Sequence, residues 1–223
     1  MIFPIGDDNI EGGHKPLVAY SLIIINLIVF IIEINLGETF IYKYAATPED
    51  IVHGNNLHTL GTSMFMHGGI MHLLGNMLYL WIFADNIEAI IGSIGFTIFY
   101  LLGGLFASAM HIITDPHSII PTLGASGAIS AVMGAYLIMF PKSRVKMIIL
   151  IFFKKFHIPA LLFLLFWFAQ QLFMGVGNLS PAKAGEGGIA WWAHIGGFAF
   201  GMLAGYIIKK TYGDRYSYTK PIA

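Results

Sequence analysis

Residues 17–36 form an apolar run interrupted by one acidic side chain, Glu33, and no basic one, and further apolar runs follow at 64–83, 92–113, 126–140, 158–174 and 189–208. About 20 apolar residues suffice to cross a bilayer as a helix, and only helices and closed barrels satisfy every backbone polar group inside one. The composition points the same way. Hydrophobic residues make up 57% of the chain, charged residues 11%, and the mean hydropathy is +0.73, whereas about a quarter of a soluble domain is charged. The sequence therefore predicts an all-α membrane protein with six transmembrane helices.

The runs divide the chain into a cytoplasmic N-terminal tail (1–16), a six-span domain (17–208) and a cytoplasmic C-terminal tail (209–223). With the N-terminus inside, the inner segments hold ten basic residues, among them Lys142, Arg144, Lys146, Lys154 and Lys155, against Lys43 and Lys183 outside. That bias satisfies the positive-inside tendency. A multi-pass protein of a prokaryotic plasma membrane, with both termini in the cytoplasm, is expected. The first run is too long, and lacks the small-residue cleavage site, for a signal peptide. The 12 basic and 12 acidic residues cancel, so no charge excess draws the chain to nucleic acid. With no cysteine, disulfides, thiolate metal sites and a cysteine nucleophile are excluded.

The connections also carry information. Residues 37–63 include Pro48, Gly54, Asn55 and Asn56 but also Phe40, Tyr42 and Tyr44, so this loop is expected to lie on the membrane surface. A turn containing Asp85, Asn86 and Glu88 is expected between the second and third spans. The fourth run is only about 15 residues, or roughly 22 Å of helix, shorter than the hydrocarbon core. Its start at Ser126 should lie below the surface, and irregular backbone at that depth must be buried in protein or line a wet cavity.

Ser126 sits among small residues. With Ser130 and Gly134 it forms a stripe at i, i+4 and i+8, the pattern of close helix packing, and on that evidence alone it reads as a packing serine. Chemically it offers a hydroxyl at a helix N-terminus, where free N–H groups stabilise an oxyanion. His194 supplies a base at the same depth, with Gly197 and Gly201 at i+3 and i+7 allowing close approach; its alternative reading is a histidine bonded to a neighbouring helix. His72 and Asn76, at i and i+4, share a face of the second span and offer oxyanion donors. His67, placed on the same span, lies about 140° around the helix from His72 and reads equally as an interfacial anchor. A histidine metal site is the competing reading, but H-x4-H lacks the carboxylate of H-E-x-x-H. With no carboxylate near His194 in sequence, a Ser126–His194 dyad is simpler than a triad. No metal or cofactor is expected.

Together these motifs resemble the rhomboid family of intramembrane serine proteases. G-x-S-G matches Gly124 to Gly127, H-x4-H-x3-N matches His67, His72 and Asn76, and A-H-x-x-G-x-x-x-G matches Ala193, His194, Gly197 and Gly201. The resemblance covers nearly the whole chain and implies that Ser126 attacks a peptide carbonyl with His194 as base. It also implies an oxyanion site made by the Ser126 N–H, the Leu123 backbone, His72 and Asn76, and a structural anchor at Glu88. The loop 37–63 resembles the family's lateral membrane-embedded loop, and span five with residues 175–188 its gate and cap. Partners would be transmembrane protein substrates and the lipid bilayer.

Four positions depart from the family. His58-Thr59 stands where a Trp-Arg pair is common, and Ile90 where an arginine often follows the glutamate. Ser130 stands where some members stack an aromatic beneath the catalytic imidazole. Trp81, Trp167, Trp191 and Trp192 read as packing or interface-belt residues, and Glu33 as an outer interfacial group. Two alternatives stay open: an inactive rhomboid-fold protein that binds transmembrane helices, and a small transporter with a histidine proton relay.

Overall fold

Residues 17–36 contain no proline or glycine, and they form one uninterrupted helix, α1 (Leu17–Leu36), which stops where Gly37 takes a positive φ of 66°. Helices dominate the computed structural model, which describes residues 2–8, 15–177 and 189–213. The connection at 178–188 and the tail beyond 213 lie outside the described residues. Ahead of α1 runs a strand, β1 (Ile2–Gly6), in the segment expected to be a polar tail.

The loop after α1 is built from three short helices, α2 (Glu38–Tyr44), α3 (Pro48–Val52) and α4 (Thr59–Thr62), followed by a 3-10 turn at Ser63–Phe65. Residues 66–69 are irregular, so the second expected span starts at Ile70 rather than at residue 64. The helix that begins there, α5 (Ile70–Thr114), is 45 residues long and breaks at Gly92 (φ 74°, ψ 166°). At about 1.5 Å per residue it is roughly twice the length one crossing needs.

The turn expected around Asp85 to Glu88 is therefore displaced: these residues are helical and the break comes at Gly92. The cause lies in the polar side chains. Asn86 and Glu88 are buried because they serve neighbouring elements. Glu88 accepts the free N–H groups of Val18 (3.1 Å) and Ala19 (3.0 Å) at the start of α1, and Ser93 Oγ donates to it at 2.7 Å. A carboxylate capping unsatisfied amides at a helix N-terminus is favourable in both hydrogen bonding and dipole terms. Asn86 Nδ2 donates to Asp7 (2.9 Å), which follows β1.

Helix α6 (Ser126–Met139) is 14 residues long and almost wholly buried. It leads into an antiparallel hairpin, β2 (Arg144–Ile149) and β3 (Lys154–Pro159), to which β1 adds a third strand beside β2. The register pairs Ile2 with Ile149 and Arg144 with Pro159, with an irregularity between Pro4 and Gly6. This sheet was not anticipated. Tyr136, on α6, donates to Asp7 and shares a hydrogen bond with Ser143 (2.8 Å), which ties the sheet to the helix end. Then come α7 (Ala160–Gly177) and α8 (Trp191–Tyr212).

Among the described residues, four helices, α1, α5, α7 and α8, are long and apolar enough to cross a membrane, and α6 stands among them at the centre. Its small residues allow the centre to be filled by backbone. A Cβ placed on Gly201 would lie 2.0 Å from the Ala131 carbonyl oxygen, and one on Gly197 2.2 Å from that of Gly127. A Cβ on Gly127 would in turn lie 2.6 Å from Ala107 of α5. Between lipid-bathed helices apolar transfer gives little drive, so such close van der Waals contact supplies the cohesion.

Candidate active site

The segment before α6 is extended and held from one side. Ala46 and Thr122 exchange two backbone hydrogen bonds (2.9 and 2.8 Å), and Gly124 N–H donates to the Ser63 carbonyl at 2.9 Å. Gly124 has φ +131°, and a Cβ there would press 2.9 Å from the His72 ring. A side chain at 124 would thus be strained and would displace the imidazole. From this braced turn Ser126 opens α6 with its amide at the helix N-terminus.

His194 lies in the first turn of α8. The glycine contacts bring that helix against α6, so that His194 Nε2 lies 2.8 Å from Ser126 Oγ. On its other side Nδ1 lies 2.8 Å from Gln171 Oε1 of α7. Trp167, one turn before Gln171, has its ring centroid 5.9 Å from that of His194, and Trp191 approaches edge-on at 6.2 Å. Ser130, standing where some rhomboid proteins stack an aromatic under the ring, is buried against Gly197 and donates to the Ser126 carbonyl at 2.6 Å. The indole of Trp167 flanks the ring from another helix.

His72 borders Gly124 at the serine, and Asn76, one turn deeper on α5, is buried with its Nδ2 unpartnered among the described residues. An unpaired buried amide donor is costly unless something accepts from it. His67 differs from expectation. It precedes α5 instead of lying on it, it is buried, and its ring meets that of His72 edge to face at 5.1 Å. Its backbone N–H donates to Glu33 Oε2 at 3.0 Å, so Glu33 is a buried tether between α1 and this loop.

A cavity of about 40 Å³ adjoins the serine, bordered by Ser63, Ser108, His111, Thr122, Gly124 and Ser126. It is roomy and polar enough for water. His111 is held there by Thr122, Oγ1 to Nε2 3.0 Å. Gln171, Trp167 and His111 are the neighbours of this site that spacing did not single out. For the first, the signal was the Gln170-Gln171 pair in the otherwise apolar run 160–177.

A family model described as the Rhomboid domain matches residues 54–211. Rhomboid protein 1, mitochondrial, of Saccharomyces cerevisiae is 28% identical over 88% of the chain and 55% of its own length. RHOMBOID-like protein 12, mitochondrial, of Arabidopsis thaliana is 28% identical over 90% of the chain and 61% of its own length. Rhomboid protease GluP of Bacillus subtilis is 31% identical over 58% of the chain and 26% of its own length. The chain thus spans little more than half the length of the first two relatives. The family match covers well over half of the sequence and includes each of the serine, histidine and asparagine motifs set out above, and the chain belongs to the rhomboid family.

Proposed function

We propose that this chain is an intramembrane serine endopeptidase that cleaves transmembrane segments of other membrane proteins. The observation that carries the reading is the 2.8 Å contact between Ser126 Oγ and His194 Nε2 at the start of a buried helix. A hydroxyl and an imidazole at that distance form a nucleophile and its general base. Ser126 Oγ attacks the scissile carbonyl as its proton passes to Nε2. The proton then goes to the leaving amine, and water releases the acyl group by the reverse transfers.

The developing oxyanion is met by the Ser126 N–H and the Leu123 backbone together with His72 and Asn76, each donor contributing up to about 3 kcal/mol. His67, Gly124, Gly127, Glu88, Gly197 and Gly201 act as supports for this arrangement. A substrate helix must unwind locally to present its carbonyl, which favours helix-breaking and small residues near the cut. The name of the B. subtilis relative, a protease, supports the reading.

In this proposal α5 crosses twice, broken at Gly92, and with α1, α6, α7 and α8 makes six spans, leaving both tails on the side rich in lysine and arginine. Yeast and Arabidopsis relatives named mitochondrial count against a placement specifically in a prokaryotic plasma membrane. The assignment proposed is accordingly a multi-pass membrane protein.

The test is cleavage of a transmembrane reporter by purified protein in liposomes, with Ser126→Ala, His194→Ala and a chelator control. Loss in both variants with no effect of chelator is the expected result. A wild type that neither cleaves a varied reporter panel nor takes a fluorophosphonate on Ser126 would leave the helix-binding reading in its place.

A further inference from the structure

Helix α7 turns most of its surface outward: Phe166 and Phe173 are 75% and 78% exposed, and its buried residues are Ala160, Leu164, Gln171 and Gly175. One of these four carries a primary amide. Burying an amide without partners costs about 1–3 kcal/mol by mutational measures, so a glutamine in this stripe, where any aliphatic residue would pack, needs both its ends satisfied. They are. Nε2 donates to the Trp167 carbonyl at 3.4 Å, and Oε1 faces His194 Nδ1 at 2.8 Å.

The two bonds fix the orientation of the amide. A carbonyl oxygen only accepts, so the NH2 end must face Trp167, and Oε1 is left for the imidazole. Oε1 also only accepts, so Nδ1 must carry the hydrogen. A neutral imidazole has one N–H, and Nε2 is therefore a bare acceptor facing the Ser126 hydroxyl. We infer that Gln171 is a positioning residue, whose side-chain carbonyl selects the Nδ1–H form of His194 and aims the free Nε2 at Ser126. The inference rests on the protease reading above and adds a third, uncharged member to the pair.

An amide suits the place. A carboxylate would hold the same tautomer but would bring a charge into the bundle, where ionised groups are expensive. When the Ser126 proton moves to Nε2, the Nδ1 hydrogen stays in its bond to Oε1, and the amide dipole points its negative end at the imidazolium. The ring is thereby kept from turning about its Cβ–Cγ bond, with Trp167 and Trp191 limiting it elsewhere.

The test uses the full-length protein in liposomes with the transmembrane reporter, comparing wild type, Gln171→Leu and Gln171→Glu. Gln171→Leu fills the space and removes the acceptor. Its kcat should fall about 10- to 100-fold, by analogy with the loss seen when the outer hydrogen-bond partners of metal-ligating histidines are removed. KM should stay within about twofold, and fluorophosphonate labelling of Ser126 should slow by the same factor as kcat. Gln171→Glu restores an acceptor and should recover most of the lost rate. Independently of turnover, nitrogen-15 NMR of labelled His194 should find the proton on Nδ1 in wild type and a mixture in Gln171→Leu. An active wild type with its proton on Nε2, or a Gln171→Leu variant with unchanged kcat, would overturn the inference while leaving the protease reading intact. Loss in Gln171→Leu that tracks the unfolded fraction, without rescue by Gln171→Glu, would also overturn it. A wild type that neither cleaves nor labels would remove both.

Discussion

Helix α8 is held differently on its two sides. Towards α6 its glycines lie against main-chain atoms, with Gly197, Gly201 and Gly205 facing Gly127, Ala131 and Ala135. Towards α7 it is met by side chains: Phe168 stacks on Phe198 with ring centroids 4.4 Å apart, Trp167 lies 5.8 Å from the same ring, and Gln171 reaches His194. A seam of backbone atoms has no rotamers to change, whereas rings and amides repack. The separation of Ser126 from His194 is thus set by the side without slack, and the imidazole's outer partner by the side that has some.

The sharpest way to break this contrast is at Gly201. Gly201→Val places two methyl groups where Ala131 O already stands 2.0 Å from a Cβ, and should cost at or above the upper end of the usual 1–3 kcal/mol for overpacking, about 3 kcal/mol. For a chain of this size that is roughly 6–12 °C in the thermal midpoint in detergent, and reporter cleavage should vanish with it. Phe168→Ala should cost less, about 1–2 kcal/mol, because the residue is only half-buried and its surroundings can close up. Equal losses from the two would mean that the sides of α8 do not differ.

Trp167→Ala sharpens the contrast on function. It should lower kcat by about tenfold, an effect of about 1.4 kcal/mol on the barrier, while the thermal midpoint moves by no more than a few degrees. A loss of midpoint as large as that of Gly201→Val would make Trp167 a structural prop.

The smallest effect is expected at the far end of α6. Burial, reinforced by the negative charge of Asp85 and opposed by the hydrogen bond from Tyr136, pushes the Asp7 carboxyl up from 3.8 to about 8. The docked segment therefore holds a proton, between pH 4 and 8, that the detached segment has lost, and docking weakens as pH rises through that window. Amide protection of residues 2–6 should fall towards pH 8 in wild type and stay level in Asp7→Asn, as hydrogen exchange would read. A pH-independent wild type would show that Asp7 is not held neutral.

Part of the site was legible because helical spacing sufficed. His72 and Asn76 share a face by a four-residue step, and the small residues around Ser126 and after His194 pointed to helices that approach closely enough for the two to meet. Gln171 was hidden because its partner lies 23 residues away on another helix, and spacing within one helix says nothing about pairing between two. The position of Ser130 indicated that the imidazole lacked one support but not where another would come from. His67 was misplaced because two glycines after it delay the start of α5.

The sheet was masked by its own charges. Arg144-Val145-Lys146-Met147 alternates with period two, and Val145 and Met147 are buried while Lys146 is exposed. The same lysines and arginine also mark membrane sidedness, which overlays the strand pattern in the sequence. In β1, Pro4 has no N–H to give to the ladder, and it is tolerated at this edge next to a register irregularity.

The pairing of β1 with β2 has a consequence in time. Residues 2–6 leave the ribosome some 150 residues before the hairpin that receives them is finished, about 8–30 s at ordinary rates of synthesis. By then α1 and α5 have also been made. β2 and β3 find each other across four residues, but β1 must wait, and Asp7 can reach Tyr136 only once α6 is made. The strand made earliest is among the last to be seated, so its docking reports that the serine helix behind it is in place.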